Sequence, residues 1–139
     1  MRTAGHRLAI SNNVKSRNVT KVTFDLQSRA NRSSYYVAEY STFLVQNEQT
    51  NYKLHVAGYS GNAGRDCFSY HDGMMFTTYD RDNDPWTTNC AVHRGGGFWY
   101  KACAQCEVNT IRGRAGDFSW DGLPGGLALQ SSRMWLMCQ

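Results

Sequence analysis

Three aspartates alternate with other residues in the segment Asp80-Arg81-Asp82-Asn83-Asp84, and their carboxylates could bind a metal ion. Ca²⁺ prefers about six to eight oxygen ligands, which carboxylates two residues apart and the main-chain carbonyls after them can supply. Carboxylates held this close repel one another in a folded loop, and a bound divalent cation removes that repulsion. The spacing alone leaves two interpretations open, a calcium site and a solvated acidic turn.

Two other kinds of metal site do not fit the sequence. An EF-hand needs Gly at loop position six and Glu at position twelve, where counting from Asp80 gives Pro85 and Ala91. Zinc sites use Cys and His ligands, and the CxxC pair Cys103-Ala104-Gln105-Cys106 has no second pair at similar spacing. The strand-to-helix context of a redox CxxC is also absent from the flanking residues.

The five cysteines favour an oxidising compartment, and their odd number leaves one without a partner inside the chain. A bridge between Cys90 and Cys103 would close a short loop, which the chain-entropy model values at ~3 kcal/mol. Cys67 and Cys138 have no evident partner, and we interpret them as buried free thiols. The sequence does not specify the pairing of Cys67, Cys106 and Cys138.

Catalytic motifs are absent from the sequence. GxSxG, HExxH and P-loop patterns do not occur, and His71-Asp72 is the nearest approach to an acid–base pair. Adjacent residues seldom present both side chains to one substrate, so we interpret His71 as a partly buried histidine with satisfied hydrogen bonds. We therefore predict that the chain is not an enzyme.

Composition and charge exclude other classes. The 139 residues suit one domain, and the net charge of +4 is scattered, without the basic stripe of a nucleic-acid-binding face. No apolar run approaches the ~18 residues of a membrane span. Residues 1–10 lack the apolar core of a signal peptide, so we expect no signal peptide in this chain. Asn18 and Asn31 each begin a sequon for N-linked glycosylation.

The elements that must position these residues are predicted to be mainly strands. Alternating or aromatic-rich segments predict strands at 22–26, 35–45, 52–56 and 133–137. Short polar connections predict an antiparallel meander for the first three. Residues 58–64 are predicted to be a loop, and Gly95-Gly96-Gly97 is predicted to turn into an aromatic strand at Phe98-Trp99-Tyr100. A loop-rich second half of this kind needs staples such as a disulfide or a metal.

Several segments, in order, resemble the C-terminal half of a fibrinogen-related domain, the module shared by fibrinogen chains, ficolins, tachylectins, tenascins and angiopoietins. The matching segments are Tyr36–Phe43, Tyr52–Gly64, Ser69–Thr77, Tyr79–Val92 and Gly96–Cys103, with weaker matches at 118–120 and 132–136. The most specific run is DRDND, NCAV and FWYK. The resemblance implies an α+β fold over residues 20–138, an antiparallel sheet followed by a loop-rich calcium-binding subdomain, after an unassigned tail at 1–19.

The resemblance also implies site residues. The calcium ligands carried over from the family are two side chains followed by two main-chain carbonyls, at Asp82, Asp84, Trp86 and Thr88. Asp80 then lies just outside the ligand set. The family's disulfide corresponds to Cys90 and Cys103. It flanks a pocket that takes acetylated sugars or amines in ficolin-like members, and its residues here are His93, Arg94, Cys103 and Ala104.

The pocket departs from the family pattern. Ala104 stands where the family usually has His, Arg94 replaces an aromatic or an acid, and residues 121–127 are Gly-rich where pocket tyrosines are expected. An acetyl-binding pocket needs an apolar, aromatic wall, and most of that wall is missing. Arg94 could offer its planar fork to an anionic ligand, but we favour its interpretation as a solvated surface residue.

The main functional prediction is a secreted, extracellular, calcium-dependent recognition module. In that prediction it is a lectin-like and ficolin-like binder of acetylated or anionic glycans in innate immunity. The alternatives are a matrix or receptor-binding module of tenascin or angiopoietin type, or a non-functional truncated copy, since the family's N-terminal subdomain is not recognisable here. The partner is expected to be a glycan or an extracellular protein, not nucleic acid. An oligomer is expected for a full-length parent.

Overall fold

The structure is a computed structural model, and it describes residues 19–110 and 118–138. In chain order the described elements are β1 (Val19–Ser28), β2 (Tyr35–Val45), a 3-10 helix (Glu48–Thr50), β3 (Leu54–Gly61), a second 3-10 helix (Phe68–His71), α1 (Cys90–Arg94), β4 (Cys106–Glu107), β5 (Ser119–Trp120) and β6 (Leu129–Cys138). None of the helices in these ranges is long and apolar enough to cross a membrane.

Four of the strands form one antiparallel sheet in the order β3-β2-β1-β6. In β1 the apolar residues Val22, Phe24 and Leu26 are fully buried, while the residues between them are partly exposed. This alternation is what a strand with one face on a core requires, because successive side chains point to opposite faces. A second, two-stranded sheet pairs β4 with β5.

Aromatic side chains join the sheet to the loop-rich half of the chain. The ring of Phe24 on β1 lies 5.0 Å from the ring of Phe68 and 5.4 Å from that of Trp120, centroid to centroid. The indole N–H of Trp99 donates to the carbonyl of Tyr52 at 2.8 Å. These contacts bury the inner face of the sheet under residues that follow β3.

The strand predictions at 22–26, 35–45 and 133–137 are confirmed, with β1 and β6 longer than expected. The predicted loop at 58–64 is wrong in its first part, because β3 continues to Gly61. Gly58 has a φ of +74°, and a side chain there would clash with Ser41 on β2. The glycine thus permits a close approach of two strands and does not end β3.

The predicted strand at 98–100 is also wrong. Phe98, Trp99 and Tyr100 are all buried in succession, whereas a strand against one core alternates between buried and exposed side chains. Phe98 makes one isolated bridge, to Thr77. The predicted α+β fold class is confirmed in part. The antiparallel sheet is present, and in the described ranges the one α-helix has five residues, so the architecture is mostly β.

Candidate metal centre

Two asparagines anchor the acidic loop to the segment before it. Asn83 Nδ2 donates to the carbonyl of Phe76 at 2.8 Å, and Asn89 Nδ2 donates to the carbonyl of Thr78 at 2.9 Å. Asn89 also caps α1, because its Oδ1 accepts from the N–H of Val92 at 3.2 Å. The loop between the two asparagines is therefore fixed at both ends.

The carboxylates of Asp82 and Asp84 are held by main-chain N–H groups of the same loop. Oδ1 of Asp84 accepts from the N–H of Trp86, and Oδ2 accepts from the N–H of Cys90, both at 3.0 Å. Oδ1 of Asp82 accepts from the N–H of Asp84 at 3.3 Å. Asp80, by contrast, accepts from the hydroxyl of Thr78 at 2.7 Å and belongs to the preceding turn.

The electrostatics of this loop favour a cation. Partial burial raises the pKa of Asp84, and the negative charge and close contact of Asp82 raise it further, while the N–H groups of Cys90 and Trp86 oppose the shift. The two carboxylates therefore destabilise each other when both are ionised. A divalent cation between them would remove that repulsion.

The donor set fits calcium. Within residues 19–110 and 118–138, no three His, Cys, Asp or Glu side chains are grouped to hold a metal, so a cation at this loop must also use main-chain oxygens. In the same ranges, no group donates a hydrogen bond to the carbonyl oxygens of Trp86 and Thr88. Two adjacent carboxylates and two unengaged carbonyls are oxygen ligands of the kind calcium takes.

A disulfide lies directly beside the loop. Cys90 and Cys103 are bonded in the structure, with their Cα atoms 5.7 Å apart. Cys90 is the first residue of α1, and Gly95, in a left-handed conformation with a φ of +84°, caps the helix after Arg94. Because Cys103 is committed to this bridge, the CxxC at 103–106 is not a dithiol in the structure. The peptide bond between Ala102 and Cys103 is cis.

The structure brings the four predicted pocket residues to the two sides of this bridge, but it does not aim them at a common ligand. His93 and Arg94 lie on α1, and Ala104 follows Cys103. His93 is exposed, and its Nε2 lies 3.0 Å from the hydroxyl of Thr88. Ala104 is half-buried and packs against the hydrophobic core.

The interpretation of Arg94 as a solvated surface residue is wrong. Its Nη1 lies 3.6 Å from Oε2 of Glu107, a carboxylate only 1% exposed. The hydroxyl of Tyr100 donates to Oε1 of the same carboxylate at 2.6 Å. This cluster of Arg94, Tyr100 and Glu107 was not predicted, because its three residues are too far apart in the chain for a spacing pattern to join them.

Glu107 has an unusual protonation equilibrium. Burial raises its pKa from the ordinary 4.5 to about 7, although the hydrogen bond from Tyr100 and the charge of Arg94 both oppose the shift. Burial likewise raises the pKa of Tyr100 far above its ordinary range. Glu107 is therefore a buried carboxyl group with a structural role in the core next to α1.

The structure also shows where the histidine, asparagines and cysteines singled out in the sequence lie. His71 is fully buried, with Nδ1 2.7 Å from the carbonyl of Trp99 and Nε2 accepting from the N–H of Gln105 at 3.4 Å. Asn31 is exposed, and its Oδ1 accepts from the N–H of Ser33 in a tight turn. Asn18 lies outside the described residues. Of the two cysteines predicted to be buried thiols, Cys67 is buried and Cys138 is exposed.

A cavity of about 150 Å³ lies elsewhere in the core, and none of the four predicted pocket residues lines it. Aromatic side chains make up half of its lining, at Phe24, Phe68, Phe76, Phe98 and Trp99. It is therefore a pocket between the sheet and the loop-rich half, separate from the disulfide and the acidic loop.

Comparisons with known proteins show which proteins this chain is similar to. The sequence model of the fibrinogen beta and gamma chains, C-terminal globular domain, matches residues 9–127. Mouse angiopoietin-related protein 7 is 35% identical over 117 residues, which cover 79% of this chain and 34% of that protein. Chicken tenascin is 41% identical over 118 residues, which cover 78% of this chain and 6% of that protein. The chain thus spans about a third or less of the length of these relatives.

Solved structures agree with the sequence comparisons. The fibrinogen-like globe domain of human ANGPTL2 superposes with a TM-score of 0.73 at 35% identity, over 84% of this chain and 57% of that domain. A lamprey fibrin D-dimer complexed with the peptide Gly-His-Arg-Pro-amide superposes with a TM-score of 0.70 at 25% identity, over 84% of this chain and 44% of that one.

Proposed function

The chain belongs to the family of fibrinogen C-terminal globular domains, and from this premise we propose that it is a calcium-dependent module that recognises an extracellular protein. The observation that carries this proposal is the similarity to angiopoietin-related proteins and tenascin, which favours the protein-binding alternative over the lectin-like one. A fibrin relative is described with a bound peptide, which supports a peptide or protein ligand.

Calcium would be held by the side chains of Asp82 and Asp84 and the carbonyls of Trp86 and Thr88. Bound there, it would neutralise the two carboxylates and fix the course of the loop. The hydrogen bond from Cys90 to Asp84 transmits that order to α1, since α1 begins at Cys90. The bridge to Cys103 extends it to the segment that follows the aromatic residues.

The loop also carries exposed aromatic side chains suited to a protein contact. Tyr79 is 68% exposed and Trp86 is 48% exposed, and they flank the acidic residues on either side. Tyrosine and tryptophan contribute disproportionately to the energy of protein interfaces. A calcium ion that fixes the backbone between them would pre-organise both rings for binding.

The lectin-like proposal has less support. The predicted pocket residues do not form an aromatic wall, because Arg94 pairs with Glu107 and His93 contacts Thr88. A binder of acetyl groups needs such a wall around the methyl group. The extracellular location is part of the proposal and is supported by the Cys90–Cys103 bridge, because disulfides persist in oxidising compartments.

Binding to two arrays in calcium and in EDTA would test the proposal, one of purified extracellular protein domains and one of acetylated sugars. We expect calcium-dependent binding to a protein that Trp86→Ala weakens at least tenfold, with Trp135→Ala as the exposed tryptophan control. Binding to the acetylated sugars that EDTA or free N-acetylglucosamine releases would support the lectin instead. Binding to neither array, with no response to calcium, would indicate a non-functional copy.

A further inference from the structure

We propose that Cys67 and Cys106 form a second disulfide, which ties the start of the 3-10 helix at Phe68–His71 to strand β4. Both side chains are fully buried, and the two thiols are neighbours in the core. This inference rests on the extracellular location in the proposed function, because two thiols in contact become a disulfide only where an oxidant is present.

The backbone on each side of the pair is fixed independently of the cysteines. The N–H of Gln105, next to Cys106, donates to Nε2 of His71 at 3.4 Å. Trp120 pairs with Cys106 in the small sheet, and its indole N–H donates to the carbonyl of Arg65 at 3.2 Å, two residues before Cys67. The two sulfurs are thus brought together by contacts that do not depend on their chemistry.

The pairing also accounts for the cysteine number. Cys90 and Cys103 are already bonded, so a bridge between Cys67 and Cys106 leaves Cys138 as the odd residue. Cys138 is the exposed cysteine, at the end of β6. The alternative, a buried dithiol, would keep two oxidisable groups in contact inside a protein that carries another disulfide nearby.

Oxidation by a small-molecule disulfide such as glutathione disulfide balances the reaction. One protein thiolate attacks a sulfur of glutathione disulfide, forming a mixed disulfide and releasing one glutathione thiolate. The second protein thiolate then attacks the protein sulfur of that mixed disulfide, forming the Cys67–Cys106 bond and releasing the second glutathione. Two protein thiols are oxidised, one glutathione disulfide is reduced, and the two protons end on the released glutathione thiols at neutral pH.

The bond is expected to form during folding. Burial raises the pKa of the Cys106 thiol well above its ordinary value, and contact with Cys67 adds to the shift, so the thiolate needed for attack is scarce in the folded protein. In the partly folded chain both thiols are exposed and reactive. The bridge would enclose residues 68–105, which contain the acidic loop and the Cys90–Cys103 bridge.

The test is to refold the chain in reduced and oxidised glutathione, then alkylate it in denaturant and map its peptides by mass spectrometry. We expect a Cys67–Cys106 cross-linked peptide, a Cys90–Cys103 cross-linked peptide, and alkylation confined to Cys138. Alkylation of Cys67 and Cys106 in folded protein that contains the Cys90–Cys103 bridge would overturn the proposal. This mapping uses the unmutated chain, so it does not depend on whether a variant folds.

A double variant, Cys67→Ser with Cys106→Ser, separates this inference from the proposed function. We expect its melting temperature to fall by roughly 10 °C relative to the oxidised parent, as for loss of a bridge across a long loop. In a reducing buffer, the melting temperature of the parent should fall towards that of the double variant, because the Cys67–Cys106 bridge is then broken as well. An equal melting temperature of oxidised parent and double variant would count against the bond. Loss of calcium binding with both bridges intact would instead overturn the proposed function alone.

Discussion

The N–H of Cys90 donates a 3.0 Å hydrogen bond to Oδ2 of Asp84, so the first residue of α1 holds a carboxylate of the acidic loop. Cys90 is also bonded to Cys103. Loop, helix and disulfide therefore meet at one residue. A change in any of the three is expected to affect the other two.

Removing the bridge tests this coupling. For Cys90→Ser combined with Cys103→Ser, we expect the free energy of unfolding to fall by ~3 kcal/mol, as the chain-entropy model gives for a short loop. We also expect calcium to bind more weakly, because Asp84 loses a restrained hydrogen-bond donor. Denaturant titration and calorimetry measure the two effects. A variant that is less stable but binds calcium as tightly as the parent would show that the bridge and the loop are not coupled.

The disulfide itself is checked by a non-reducing digest. We expect one peptide that links Cys90 to Cys103. A link from Cys103 to Cys106 or to Cys67 would contradict both this pairing and the second bridge proposed above.

Stability should respond to pH through two buried groups that act in opposite directions. Burial lowers the pKa of His71 from 6.5 to about 4, against its hydrogen bond to Trp99, so its stabilising contribution is complete above pH 6.5 and is lost as the pH falls towards 4. Burial raises the pKa of Glu107 from 4.5 to about 7, so its contribution is complete below pH 4.5 and is lost as the pH rises towards 7. Each effect amounts to about 3 kcal/mol at most.

Single variants should separate the two contributions. Between pH 4.5 and 6.5, Glu107→Gln should gain stability more steeply with rising pH than the parent, because His71 then acts without opposition. His71→Asn should show a slope displaced in the opposite direction. Denaturant unfolding at half-unit pH steps measures both slopes. Slopes identical to that of the parent in both variants would show that neither group titrates as described.

The pair between Arg94 and Glu107 gives a further prediction. Arg94→Met keeps an apolar side chain but removes the cation, so ionised Glu107 loses its charged partner in the core. We expect a loss of roughly 3 kcal/mol in the free energy of unfolding at pH 8 and a smaller loss at pH 5, where Glu107 is protonated. Arg81→Met, in the exposed acidic loop, is the matched control. An equal loss at both pH values would show that the ion pair does not stabilise the fold.

The sheet was largely predictable because its strands alternate. β2 has the predicted bounds, Tyr35–Val45, and β1 and β6 enclose the predicted segments. The errors arose at residues whose types occur in more than one kind of local structure. Gly58 suggested a loop but lies where two strands approach closely, and the three aromatic residues at 98–100 suggested a strand but are buried in an irregular segment.

The site was predictable only in part. The alternation of Asp82 and Asp84 drew attention to the loop, and the family resemblance narrowed the ligand set. The pairing of Arg94 with Glu107 and the contact between Cys67 and Cys106 could not be predicted, because both join segments that only the tertiary fold brings together. No periodic pattern relates residues separated in that way.

Calcium binding is the central claim, and the melting temperature of the chain with and without calcium tests it most directly. A ligand that binds only the folded state raises its stability by about 2.7 kcal/mol at a hundredfold excess over Kd. We therefore expect excess calcium to raise the melting temperature by several degrees and EDTA to reverse the rise. Asp82→Ala or Asp84→Ala should abolish the rise, while Asp80→Ala should preserve it. No rise in the parent chain, or an equal rise in all three variants, would contradict the assignment of this loop as the calcium site.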